Sequence, residues 1–234
     1  MPHELVSHHI SASDLSLLDV LEGAGPGSVG LQVTDLDRPG YERVADFLTD
    51  HGGLVRVLTL HPHRGFFDHG DLRDVDFAAR CPNLESLDVR RVLFDGSVFV
   101  HPVLRDLRLK QSKYTGGPRI SVGAAQPLEV LEVEDCHIEA DVLAIGPESR
   151  LEVFRYSLDE DYAEACPDRF ELLGTRLEEI YVNACWAYRV TTSTASERLN
   201  RRRTFLAGQY GSVTHVRDDG DGERLVLRQG PQDD

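Results

Sequence analysis

The chain of 234 residues is short of several things that would each point to a class of protein. No stretch approaches the roughly 18 consecutive apolar residues that a membrane-spanning helix needs. A membrane partner is therefore not expected. Lysine is almost missing, with only Lys110 and Lys113 among 25 basic residues, a bias toward arginine that reflects a GC-rich genome more than a demand for phosphate recognition. Basic side chains are outnumbered by 40 acidic ones, for a net charge of −15. Such a surplus repels phosphate backbones, so nucleic acid is a poor partner. The four cysteines, Cys81, Cys136, Cys166 and Cys185, form no CxxC pair and show no zinc-ligand spacing. In a chain too long to need disulfide staples they read as free thiols. The N-terminal MPHELVSHHISASDL lacks the basic start and apolar run of a secretory signal, which gives a cytoplasmic expectation for a chain beginning near Met1. GxSxG, P-loop, GxGxxG, HExxH and kinase signatures are all missing. Gly23 to Gly27 is glycine-rich but has no Lys-Ser or Lys-Thr after it, and reads as a loop.

What the chain has is 41% hydrophobic residues, enough for a sizeable core, and they recur in a pattern. Leu84, Leu87 and Val89 spell L-x-x-L-x-L, as do Leu104, Leu107 and Leu109. The template fits again at Leu128, Leu131 and Val133, at Leu151, Phe154 and Tyr156, and at Leu177, Ile180 and Val182. Val55, Leu58 and Leu60 supply a sixth copy, and Ser28, Leu31 and Val33 a degenerate seventh. Successive first positions lie 27, 29, 20, 24, 23 and 26 residues apart. A period in the twenties with this alternation is that of a strand repeated once per coil, its first, fourth and sixth residues facing inward. The spacing of three also suits a helical face, but the alternation, the short runs and the Val and Tyr content favour strand.

At the ninth position of each copy stand Leu36, His63, Val92, Ser112, Cys136, Asp159 and Cys185. Two cysteines at the offset where Asn or Cys satisfies backbone groups support the register independently. Over roughly residues 25 to 190 the chain resembles the leucine-rich repeat superfamily in an irregular, bacterial-type form without an asparagine ladder. The resemblance implies an α/β leucine-rich-repeat-like solenoid, with one parallel sheet on the concave face and mixed helices and short strands on the convex face. The expected organisation is a cap helix within 1–27, about seven coils over 28–190, and a linker, hairpin and mobile tail over 191–234.

The returns between strands divide into two kinds. YERVADFLTDHGG, after Pro39 and Gly40, reads as a helix burying Val44, Phe47 and Leu48. DLRDVDFAARCPN reads as a second, capped by Asp71 and burying Leu72, Val75, Phe77 and Ala78. SASDLSLLDVLEG is the expected cap helix over the sheet's open edge. SVFVHPVL, RISVGAAQPL and VLAIGPESRL alternate and read as short strands. DEDYAEACPDRFELLG leaves room for a helical turn before Phe170 and Leu172. SVTHVRDDGDGERLVLR reads as a hairpin around Gly220 or Gly222.

Outward positions carry the functional expectation. The fifth position supplies Gln32, Thr59, Asp88, Arg108, Glu132, Arg155 and Tyr181, and the seventh supplies Thr34, His61, Arg90, Lys110, Glu134, Ser157 and Asn183. Charges alternate from Asp88 to Arg155 across strands about 4.8 Å apart. A purely structural role would be a salt-bridge ladder, each exposed pair contributing ~0.2–1 kcal/mol. The functional expectation is a concave protein-binding face of Asp88, Arg90, Arg108, Lys110, Glu132, Glu134, Arg155 and Tyr181, with Arg91 adding to a basic patch. Its partner would be a protein or peptide, and the chain's acidity favours a basic one, as for an inhibitor or immunity protein. No cofactor is expected, and an enzyme is the less favoured reading. The alternative is a metal- or small-ligand-binding enzyme or accessory protein using His61, His63, Asp68, His69 and Asp71, residue types that bind transition metals but here lack a second cluster. Cys136 beside His137 suggests a nucleophile and base, but the register turns the cysteine into the core. Arg201 to Arg203 read as a solvated helix face.

Overall fold

A computed structural model describes residues 5–11, 23–66, 68–157, 167, 169–177, 179–183, 189–193, 212–218 and 222–228. The chain opens with β1 (Val6–Ser11) and β2 (Val29–Leu36), followed by helix α1 (Arg38–His51). Next come β3 (Val55–Pro62), β4 (Gly70–Asp71) and the four-residue helix α2 (Phe77–Arg80). From there each repeat contributes up to three strands. These are β5 (Ser86–Arg90) and β6 (Val92–Phe94), then β7 (Asp106–Lys110), β8 (Lys113–Tyr114) and β9 (Arg119–Val122), then β10 (Val130–Glu134), β11 (His137–Ile138) and β12 (Val142–Ile145). The later repeats supply β13 (Val153–Ser157) with β14 (Arg169–Leu172), and β15 (Glu179–Asn183) with β16 (Arg189–Ser193), before β17 (Ser212–Asp218) and β18 (Gly222–Arg228).

First strands of successive repeats join an eight-stranded parallel sheet in the order β1-β2-β3-β5-β7-β10-β13-β15. Second strands make the small sheet β11-β8-β6-β4, and third strands the sheet β17-β18-β16-β14-β12-β9. Every pairing is parallel except β16 with β18 and β17 with β18. None of the three sheets closes into a barrel.

The register explains why the leucines recur. Leu58, Leu87, Leu107, Leu131, Phe154 and Ile180 stand opposite one another across six strands. So do Leu60, Val89, Leu109, Val133, Tyr156 and Val182. One strand exposes an apolar row that only the same row of its neighbours can cover, so stacking buries what no repeat buries alone. Leu58, Leu107, Leu131 and Phe154 are fully buried, and one contiguous core runs from Ile10 to Leu177.

The strand exit recurs in four of the copies. Asp35, Arg91, Gln111 and Asp135 adopt left-handed backbone with φ between 47° and 57°, and each is the eighth residue of its copy. That conformation turns the chain off the sheet while its N–H continues the ladder, from Arg91 to the Lys110 carbonyl and from Gln111 to that of Glu134. Two interior groups then complete the turn. The Ser112 hydroxyl donates to the Lys110 carbonyl (2.8 Å) and accepts from the Val92 N–H (3.2 Å). Cys136 Sγ accepts from the Ser112 N–H (3.5 Å) and lies 3.3 Å from the Leu109 carbonyl. Ser112, a departure from the Asn-or-Cys rule, thus does the work that rule describes.

Several returns differ from the sequence reading. α1 starts at Arg38, because the Asp37 carboxylate accepts from the Gly40 N–H (2.8 Å) and Pro39 suits the first turn; Pro39 and Gly40 lie inside the helix. The helix expected from Asp71 shrinks to Phe77–Arg80, capped by Asp76. Asp71 instead ends β4 and binds the Arg73 side chain. Leu72, Val75 and Phe77 are buried as expected, and Ala78 is half-buried. In SVFVHPVL the expected strand is a short 3-10 helix over Gly96–Val100, started by the Asp95 carboxylate on the Ser97 N–H (2.9 Å). The other two alternating returns are strands β9 and β12. Of the expected cap helix, residues 12–22 lie outside the described residues, and the segment before them is strand β1, which adds to the sheet instead of capping it. The proposed helical turn before Phe170 also lies outside the described residues, as do the tail and Arg201 to Arg203.

Candidate functional site

Residues at the third, fifth and seventh positions alternate with the buried row, so they share the outward face of the eight-stranded sheet. The fifth-position row is continuous by pairing from Gln32 through Thr59, Asp88, Arg108, Glu132 and Arg155 to Tyr181. The seventh-position row runs from Arg90 through Lys110, Glu134 and Ser157 to Asn183. All eight expected face residues therefore fall on neighbouring strands of one sheet.

Most of these charges bind each other. Glu132, with only 15% of its side chain exposed, accepts from Arg155 at 2.6 Å and lies 3.7 Å from Arg108. Lys110 pairs with Glu134 at 3.1 Å. Arg108 also forks onto Asp106 of its own strand, Nε to Oδ1 at 3.0 Å and a terminal nitrogen to Oδ2 at 3.2 Å. That hydrogen-bonded pair, helped by Glu132 and Asp88, holds the Arg108 guanidinium above its ordinary pKa. Asp106 was missed in the sequence, although its signal was available, since residues 106 and 108 share a face on any strand.

Asp88 and Arg90 differ from the rest. Asp88 Oδ1 and Arg90 Nε are shielded from solvent and have no hydrogen-bond partner. Arg91, expected beside them, is a correction: its left-handed backbone turns it off the face. Its guanidinium donates to the Phe66 carbonyl and, at 3.3 Å, to Gln111 Oε1. It fastens the loop after β3, where Phe66 also packs on Tyr41 with ring centres 5.8 Å apart.

That loop carries the alternative site. His63 Nδ1 accepts from the Gly65 N–H (3.1 Å), Asp71 is engaged by Arg73, and His69 is half-buried near Lys113 and Arg91. Burial, then those two cations, hold its pKa below the usual histidine value, against the opposing hydrogen bond that its ring donates to the Gln111 backbone carbonyl. Among the described residues, no group of three or more His, Cys, Asp or Glu is placed to hold a metal ion. Nor do Cys136 and His137 form a reactive pair. Burial pushes the Cys136 thiol up to about 12, and His137 faces outward onto Glu139 at 2.5 Å.

Comparison with known proteins adds one partial likeness. The chain is 27% identical over 147 residues to F-box protein At4g02760 of Arabidopsis thaliana. The match takes in 58% of this chain but 29% of the plant protein, so the chain spans less than a third of that relative's length. No protein-family model matches, and no solved structure matches. Among the described residues no helix is long and apolar enough to cross a membrane.

Proposed function

We propose that the chain is a leucine-rich-repeat-like solenoid that binds another protein or peptide through the outward, concave face of its eight-stranded sheet and is not itself an enzyme. The observation that carries this reading is the two-signed charge pattern laid in register over strands β5, β7, β10 and β13. A rigid parallel sheet holds such a pattern at fixed spacing, and fixed charges of both signs select one partner orientation over others. Chain-wide acidity favours a basic partner, with an inhibitor or immunity-type role in the cytoplasm as its concrete form.

The test must keep the internal ladder intact, because a lone reversal at Arg108 would set Glu beside Asp106 and Glu132. Swapping the Lys110–Glu134 pair (Lys110→Glu with Glu134→Lys) preserves the pair and inverts what a partner meets. A protein captured from the native host by the wild type should bind the swapped variant about tenfold more weakly or worse, with the melting temperature little changed. Unchanged affinity in a folded variant would remove this face from consideration.

A further inference from the structure

We infer that Asp88 and Arg90, on the outward face of β5, form a docking pair for an extended segment of a partner protein that carries a cation and an anion on alternate residues. The inference rests on the face reading above and narrows it to one strand. Across the ladder Asp88 stands between Thr59, which is uncharged, and Arg108, whose hydrogen bonds go to Asp106. Arg90 stands beside Lys110, a like charge already held by Glu134. Neither neighbour bonds to the shielded Oδ1 of Asp88 or the shielded Nε of Arg90, which have no hydrogen-bond partner. The rest of each side chain is part-exposed on the face, so a partner of opposite charge can engage a carboxylate and a guanidinium that form no ion pair among the described residues of the free protein.

Spacing chooses the partner's form. Residues two apart on a strand stand about 6.6 Å apart on one face, and an extended peptide laid along β5 repeats that spacing. Its Lys or Arg then meets Asp88 while its Asp or Glu meets Arg90. A phosphate or lone carboxylate would answer Arg90 but be repelled by Asp88, so the chemistry selects a peptide bearing both signs.

Two end-capped heptapeptides of threonine and valine, each with one arginine and one glutamate, test this on the full chain by NMR titration. In one the charged residues are two apart, and in the other they are adjacent and so point to opposite sides. The first should bind about tenfold more tightly. Asp88→Asn and Arg90→Gln should each erase that preference, and Asp88→Arg should transfer it to a peptide with two glutamates two apart. Arg90→Met should leave the melting temperature unchanged or raised, as expected when an unpaired buried nitrogen is removed. Equal affinities, no saturable shift at millimolar peptide, a lowered melting temperature for Arg90→Met, or self-association abolished by these substitutions would each overturn the inference. If the captured partner responds to the Lys110–Glu134 swap but not to Asp88→Asn or Arg90→Gln, the docking pair fails alone. If it responds to neither, the face reading fails with it.

Discussion

At the scale of single residues, His101 shows how a buried side chain substitutes for secondary structure. Its Nδ1 accepts from the backbone N–H groups of Val103 (3.3 Å) and Leu104 (3.1 Å), while Nε2 lies 3.2 and 3.1 Å from the carbonyls of Phe77 and Cys81. Only the neutral ring protonated on Nε2 satisfies all four. Burial accordingly holds the pKa of His101 below 6.5, against the two carbonyls that favour its protonated form. The unfolded chain takes up this proton more readily than the folded one, so stability that is full above about 6.5 should fall as pH drops through that value. Urea midpoints at successive pH values should show that slope and lose part of it in His101→Ala, which should also cost ~1–3 kcal/mol by leaving backbone groups unpaired. Cys81 and Cys136 give a second residue-scale prediction. Both are buried, and burial pushes both thiols up to about 12, so thiol reagents should label neither until denaturant is added. Rapid labelling of the native protein, mapped by mass spectrometry, would contradict the inward register of Cys136.

At the scale of elements, the left-handed residue that ends four of the repeat strands ties conformation to repeat geometry. Aspartate tolerates this region, but Arg91 and Gln111 carry a steric cost of roughly 1–2 kcal/mol each, repaid by the ladder and interior bonds the turn completes. Gln111→Gly should therefore be more stable than Gln111→Val by about 1–2 kcal/mol in chemical denaturation, since a β-branched side chain tolerates positive φ least. Equal stabilities would mean that the turn relaxes. Strands were the most legible elements, because burial on one face imposes alternation. Returns were less so: the run SVFV alternates like a strand, yet Asp95 caps its backbone into a 3-10 turn. Likewise Asp71 and Asp76 are both plausible helix caps by residue type. Which one acts depends on β4 pairing with β6, a contact 21 residues away between Gly70 and Arg91.

At the scale of the whole molecule, the core of the described residues is one contiguous cluster, so each repeat is stabilised by the neighbours it stacks on. Leu131 lies fully buried between Leu107 and Phe154 in the middle of the eight-stranded sheet. Leu131→Ala should cost ~2–5 kcal/mol, and Leu131→Asp should abolish cooperative unfolding, because a charge there has no partner and no water. Circular dichroism melts that leave the Asp variant unchanged would contradict the register on which the face depends. The repeated L-x-x-L-x-L rows and their strand-to-strand register were determined by the sequence alone, because an apolar row with period two has few ways to escape water. Which outward charges neutralise each other was decided only by the tertiary structure. Arg108 lies near Asp88, Asp106 and Glu132, and it bonds Asp106 through the fork of its guanidinium. Strand register and strand alternation bring all three carboxylates near that guanidinium, whereas the choice among them is set by side-chain conformation and packing, and that choice leaves Asp88 Oδ1 without a hydrogen-bond partner.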